Sequence, residues 1–139
     1  MGGYALIIPG SDRALQVISA HRDRLEPHAP IALPAHATVL GALDKLRFAE
    51  AAAVVGLDTP ETVVCFDAEE ALSAADTFGY PVLVKSRRVV DSVAATLARP
   101  LTARVDGPEQ LARVLPAYGN PCLVQRVVRG TLIDYGGYG

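Results

Sequence analysis

The sequence predicts an α/β (α+β) protein: a small mixed or antiparallel sheet packed by helices. Short apolar, β-branched runs alternate with amphipathic helical stripes along the chain. Two stretches, Gly79-Tyr80-Pro81-Val82-Leu83-Val84-Lys85 and Gly119-Asn120-Pro121-Cys122-Leu123-Val124-Gln125, read as the same turn and strand used twice, each following a helical stripe. The 139 residues are 50% hydrophobic and only 20% charged, which excludes a disordered tail and suits a packed core.

Tyr4-Ala5-Leu6-Ile7-Ile8, closed by Pro9-Gly10, reads as a buried strand. Ser11 or Asp12 caps a helix with Leu15, Ile18 and Leu25 on one face, and Ile31-Ala32-Leu33 between prolines is a second short strand. A further helix starts near Asp44 and runs to Val55, with Gly56 ending it. Thr62-Val63-Val64-Cys65-Phe66 is a β-branched strand. Asp67 with Glu70 forms a capping box for a stripe of Ala68, Ala71, Leu72, Ala75 and Phe78, stopped by Gly79. Pro81 to Lys85 is the next strand. The second cycle runs through Thr102-Ala103-Arg104-Val105, a cap at Asp106, and a stripe of Leu111, Val114, Leu115 and Tyr118, and ends in Cys122 to Gln125.

Charge and composition narrow the function. Lys and Arg total 13 against 15 Asp and Glu, a net charge of −2, and aromatic residues are 6% with no Trp. That argues against a dedicated nucleic-acid binder, which needs a basic excess or a stacking platform. No apolar run approaches the roughly 18 residues that cross a bilayer, and no secretory leader pattern opens the chain, so a soluble cytoplasmic domain with no membrane partner is expected. Cys65 and Cys122 lack metal-ligand spacing and read as reduced, buried thiols. His21, His28 and His36 cluster early, with His28 and His36 in a Pro-rich loop, and read as surface histidines rather than metal ligands. No nucleophile elbow and no Walker loop is present.

Lys45 and Lys85 are the only lysines. Lys85 ends an apolar strand, where a compact mobile ammonium suits a phosphate oxygen. Arg87, Arg88, Arg99 and Arg104 follow with only Asp91 between 85 and 104, so this loop either attracts an anion or is a solvated charged turn. Lys45 at a helix start opposes the helix dipole unless an anion is near; a salt bridge to Asp44 or Glu50 is the plainer alternative.

Asp44-Lys45, Gly56-Leu57-Asp58-Thr59-Pro60-Glu61-Thr62, Glu69-Glu70-Ala71, Gly79 to Lys85, and Leu123-Val124-Gln125-Arg126-Val127-Val128-Arg129-Gly130 stand in the order found in the ATP-grasp superfamily. The chain resembles the N-terminal portion of such a carboxylate–amine ligase, of the carbamoyl-phosphate synthase large-chain type. The resemblance implies the end of a pre-ATP-grasp β-α-β unit at residues 1–40, the first ATP-binding subdomain at 41–130, and a flexible tail at 131–139. It implies ATP as cofactor, with Lys45 and Lys85 on its phosphates and the backbone of Gln125, Arg126, Val127 and Val128 at the adenine. The family usually has Glu-Tyr in this hinge strand. Ser86 to Leu101 stands where many members carry a glycine-rich flap but contains no glycine, so Arg87 and Arg88 are expected at phosphate instead.

The resemblance also implies a small carboxylate substrate, activated as acyl phosphate and attacked by an amine. The Mg²⁺ ligands are expected outside this chain, because Asp134 alone cannot form a two-metal site. This chain alone is therefore not expected to catalyse ligation. A non-catalytic module that binds a partner, or a homodimer joined through exposed apolar surface, is the alternative.

Overall fold

The computed structural model describes residues 4–87, 102–131 and 133. These fall into two compact units: one holds the described residues up to Thr59 together with Ser86 and Arg87, the other Pro60 to Lys85 and the described residues from Thr102 onward. Arg88, most of the 86–101 loop, and Asp134 to Gly139 lie outside the described residues.

The first unit is helical. Its helices are α1 (Asp12–Ala20), α2 (Arg22–Leu25), α3 (His36–Leu43) and α4 (Lys45–Val54). Ser11 caps α1, accepting from the Ala14 N–H at 3.2 Å. The single helix expected from residue 12 through Leu25 breaks at His21, whose φ of −114° and ψ of 25° leave the helical region. Beyond the break the Arg22 guanidinium binds the carbonyls of Leu33 and Pro34, tying α2 to the loop that follows.

The buried strand expected at Tyr4–Ile8 and the short strand expected at Ile31–Leu33 reduce to one parallel bridge, Ile7 to Ile31. Prolines at 9, 30 and 34 withhold the amide donors that a longer ladder needs, and Tyr4, Leu6 and Ile8 are exposed. Residues 36–43 form α3, where the sequence led us to expect only a Pro-rich loop at His36. His36 is therefore no surface histidine: it opens this helix half-buried, its Nδ1 2.8 Å from Ser19 Oγ on α1. Asp44 separates α3 from α4 and caps the latter. Gly56, at φ 76°, closes α4 as expected.

The second unit holds β1 (Thr62–Cys65), α5 (Ala68–Phe78), β2 (Val82–Ser86), β3 (Thr102–Val105), α6 (Pro108–Val114) and β4 (Cys122–Arg126), with Ser86 its boundary residue. The strands form one sheet in the order β1-β4-β2-β3, with β1 antiparallel to β4 and β2 antiparallel to β3. The capping box forms: Asp67 accepts from the Glu70 N–H at 2.8 Å, and Glu70 accepts from the Phe66 N–H at 2.7 Å. The cap expected at Asp106 is Gly107 instead, with Pro108 opening α6, because the Asp106 carboxylate pairs with Arg104. The two turns before β2 and β4 match, each with a positive-φ glycine (Gly79 at 74°, Gly119 at 72°) and a cis X-Pro bond.

One face of the sheet is covered. Ala71 and Ala75 from α5, with Leu111 and Tyr118 from the α6 segment, pack on Cys65, Val82, Val84, Val105, Cys122 and Val124. Cys65 and Cys122 are buried free thiols, as expected, and the strand register sets them opposite each other. Because strand side chains alternate, the residues between these point to the opposite face, and this alternation sets up the site.

Candidate functional site

On the face away from the helices stand Leu83 and Lys85 of β2, Leu123 and Gln125 of β4, and Thr62 and Val64 of β1. Thr62 pairs directly with Gln125 across the β1–β4 ladder. Lys85 Nζ donates to Gln125 Oε1 at 2.6 Å. Gln125 Nε2 donates to Thr62 Oγ1 at 2.8 Å, and Thr62 Oγ1 donates to the Pro60 carbonyl at 2.8 Å. These bonds run through three neighbouring strands of the sheet.

Lys85 is half-buried, and burial pushes its ammonium below the ordinary lysine value. Its acceptor is a neutral amide, which orients the ammonium without cancelling its charge. A positive group held at a strand end in this way suits an anionic oxygen.

The rest of the expected hinge strand divides by the same alternation. Arg126 lies on the other face, 5.4 Å from the Phe78 ring centroid, and forms an ion pair with Glu61. Its N–H donates to the Glu61 carbonyl at 2.9 Å. Val127 is half-buried and Val128 exposed, both beyond the last ladder pair.

In the first unit, Lys45 opens α4, and its N–H donates to the Arg87 carbonyl at 3.2 Å. The Arg87 guanidinium is engaged with Asp44, with Nε 3.1 Å and Nη2 3.1 Å from Asp44 Oδ2. Asp44 also accepts from the Leu46 and Arg47 N–H groups. Burial would raise the Asp44 carboxyl, but the Arg87 hydrogen bond and the helix amides outweigh it and hold the group below its ordinary value.

Elsewhere on the second unit a cleft of about 360 Å³ is lined by residues that include Phe66, Ala68, Leu115, Pro116 and Cys122. It has no basic side chain to draw an anion, so the Lys85 face is the better candidate. Among the described residues no three His, Cys, Asp or Glu side chains gather as for a metal ion, and no helix is long and apolar enough to cross a membrane.

Sequence reasoning singled out Lys85 and Gln125 separately but gave Thr62 no site role: it stood only in a β-branched strand and at the end of the Gly56-to-Thr62 motif. Its part depends on the β1–β4 register, and nothing local to residue 62 announces it.

No protein-family model and no curated protein sequence matches the chain. Solved structures do. It is similar to N5-carboxyaminoimidazole ribonucleotide synthetase from Thermus thermophilus, with a TM-score of 0.62 and 23% identity over 91% of this chain and 31% of that one. It is similar to the biotin carboxylase domain of 2-oxoglutarate carboxylase from Hydrogenobacter thermophilus, solved as a dimer with MgADP, ADP and bicarbonate (TM-score 0.64, 23% identity, 91% of this chain and 29% of that one). A RimK domain ATP-grasp protein from Sphaerobacter thermophilus matches at TM-score 0.63 and 23% identity, over 86% of this chain and 42% of that one. The chain has the fold of part of an ATP-grasp enzyme, as the sequence resemblance implied, and spans less than half the length of these proteins.

Proposed function

We propose that this chain is the nucleotide-binding N-terminal portion of a cytoplasmic ATP-grasp ligase of the carbamoyl-phosphate synthase large-chain type. Residues 1–40 would derive from the pre-ATP-grasp domain, 41–130 would form the first ATP-binding subdomain, and 131–139 a tail. The observation that carries this reading is the half-buried Lys85 ammonium held by Gln125 on the helix-free face of a sheet with the ATP-grasp fold.

Lys85 and Lys45 hold phosphate oxygens in this reading, and the 125–128 backbone holds adenine. Arg88, outside the described residues, is proposed as a further phosphate contact, while Arg87 acts chiefly through Asp44. When bound, the nucleotide supplies the phosphoryl group that activates a small carboxylate for attack by an amine or similar nucleophile. The ligands for Mg²⁺ are assigned outside this chain. The residues described here bind and orient.

The test is calorimetric titration of ATP, and of GTP for comparison, into the chain and its lysine variants. Lys85→Ala is expected to weaken ATP binding at least as much as Lys45→Ala. Unchanged affinity in both variants removes the site.

A non-catalytic assembly module is the second reading. Phe48, Val54, Val55 and Leu57, on and just after α4, are all exposed, Val54 by 86%. Self-association in light scattering without nucleotide binding would favour it over the first.

A further inference from the structure

We propose that Thr62 is a positioning residue: acting through the Gln125 amide, its hydroxyl fixes the Lys85 ammonium on the sheet face away from the helices. The inference rests on the reading of Lys85 as a phosphate-binding group and adds to it a residue that touches no ligand.

The argument is one of donors and acceptors. A threonine hydroxyl has a single proton, and that of Thr62 is given to the Pro60 carbonyl at 2.8 Å. Toward Gln125 it can then only accept, so it must meet the amide nitrogen, which it does at 2.8 Å. That leaves Gln125 Oε1 turned toward β2. An ammonium has donors and no acceptor, so Lys85 requires an oxygen at that place and finds it at 2.6 Å. The demands at the two ends of the amide agree, and one orientation satisfies both.

Residue type matters at each position. A carboxylate at 125 would meet the same ammonium with a full negative charge and would repel an arriving anion. Gln125 orients Lys85 and leaves the positive charge for a ligand, but an amide has two faces and needs an anchor that a symmetric carboxylate does not. Thr62 is that anchor, placed by strand pairing directly opposite Gln125. Valine at 62 would keep the β-branched shape and remove the acceptor, leaving the amide nitrogen unpaired and the side chain free to turn.

The experiment reads Lys85 directly in the full chain. With only Lys45 and Lys85 present, ¹³C-labelled lysine gives two ammonium titration curves by NMR. Thr62→Val is expected to move the Lys85 curve to lower pH, because an ammonium without its oxygen partner is less favoured when half-buried. Thr62→Ser is expected to restore it, and Gln125→Glu to move it to higher pH. The same variants are titrated with ATP: Thr62→Val should bind about three- to tenfold more weakly and Thr62→Ser near wild type.

If the Lys85 curve and the Gln125 side-chain amide signals are the same in Thr62→Val as in wild type, the proposal is overturned, whatever ATP does. If the curve moves as stated but wild type binds no ATP, positioning stands and the nucleotide reading falls. If Thr62→Val does not fold, Gln125→Glu decides: a Lys85 curve unmoved by a carboxylate 2.6 Å away would mean that the contact is absent in solution.

Discussion

Arg87 and Asp44 form a two-point contact in which Nε and Nη2 both reach the carboxylate, while the same carboxylate accepts two amides at the start of α4. Asp44 is 2% exposed, so its charge has little water to fall back on. Removing the guanidinium takes a neighbouring positive charge from a buried carboxylate. Arg87→Met is expected to cost about 3 kcal/mol, read from urea unfolding at neutral pH. A loss under about 0.5 kcal/mol would mean that the pair is water-screened and structurally idle.

The same contact sets a pH dependence. The Asp44 carboxyl is held below its ordinary value: burial would raise it, but the Arg87 hydrogen bond and the helix amides outweigh that. The unfolded chain therefore takes up this proton at a higher pH than the folded one. The stability from Asp44 is present above about pH 4 and is lost as pH falls through the folded value. Urea midpoints followed from about pH 6 down to about pH 3 should fall more steeply for the wild type than for Arg87→Met.

Cys65 and Cys122 should be silent toward thiol reagents. Burial, with the facing Cys122 second, pushes the Cys65 thiol up to about 11, and burial likewise raises Cys122. At about pH 8 almost no thiolate is present to attack. Ellman's reagent is expected to react slowly with the folded protein and at once with both thiols in strong denaturant. A fast native phase would mean that β1 and β4 separate readily.

Gly79 sits at φ 74° and ψ 140°, a combination that side-chain-bearing residues rarely adopt. An added Cβ would meet nothing within 4 Å, so the cost of Gly79→Ala is backbone strain rather than collision. It is expected at about 1–3 kcal/mol by denaturant unfolding. Gly119, at φ 72°, should behave alike. A neutral outcome at both would indicate that the turns relax without consequence for β2 and β4.

The second unit was largely legible because its signals are local. The β-branched run at 62–65, the Asp67–Glu70 cap and the glycines at 79 and 119 each specify a boundary within a few residues. Helix α3 was not: Ala35 gives it no side-chain cap, Gly41 weakens its helical propensity, and it packs against α1 and α4. Lys85 stood out by its chemistry. Its partners did not, because Gln125 is 40 positions away and Thr62 is 63 positions from Gln125, so their meeting is a property of the sheet.

The pairing of β1 with β4 also bears on how the protein is made. Ribosomal synthesis runs from the N-terminus at about 5–20 residues per second, so Thr62 emerges roughly 3–13 s before Gln125, its partner 63 positions on. For that interval β1 has a β-branched edge and no neighbour to close it. The Asp67–Glu70 cap lets α5 form at once and shield one side of that strand. The hydrogen-bonding edge of β1 waits for β4, and during that wait the nascent chain is most open to pairing with the wrong strand.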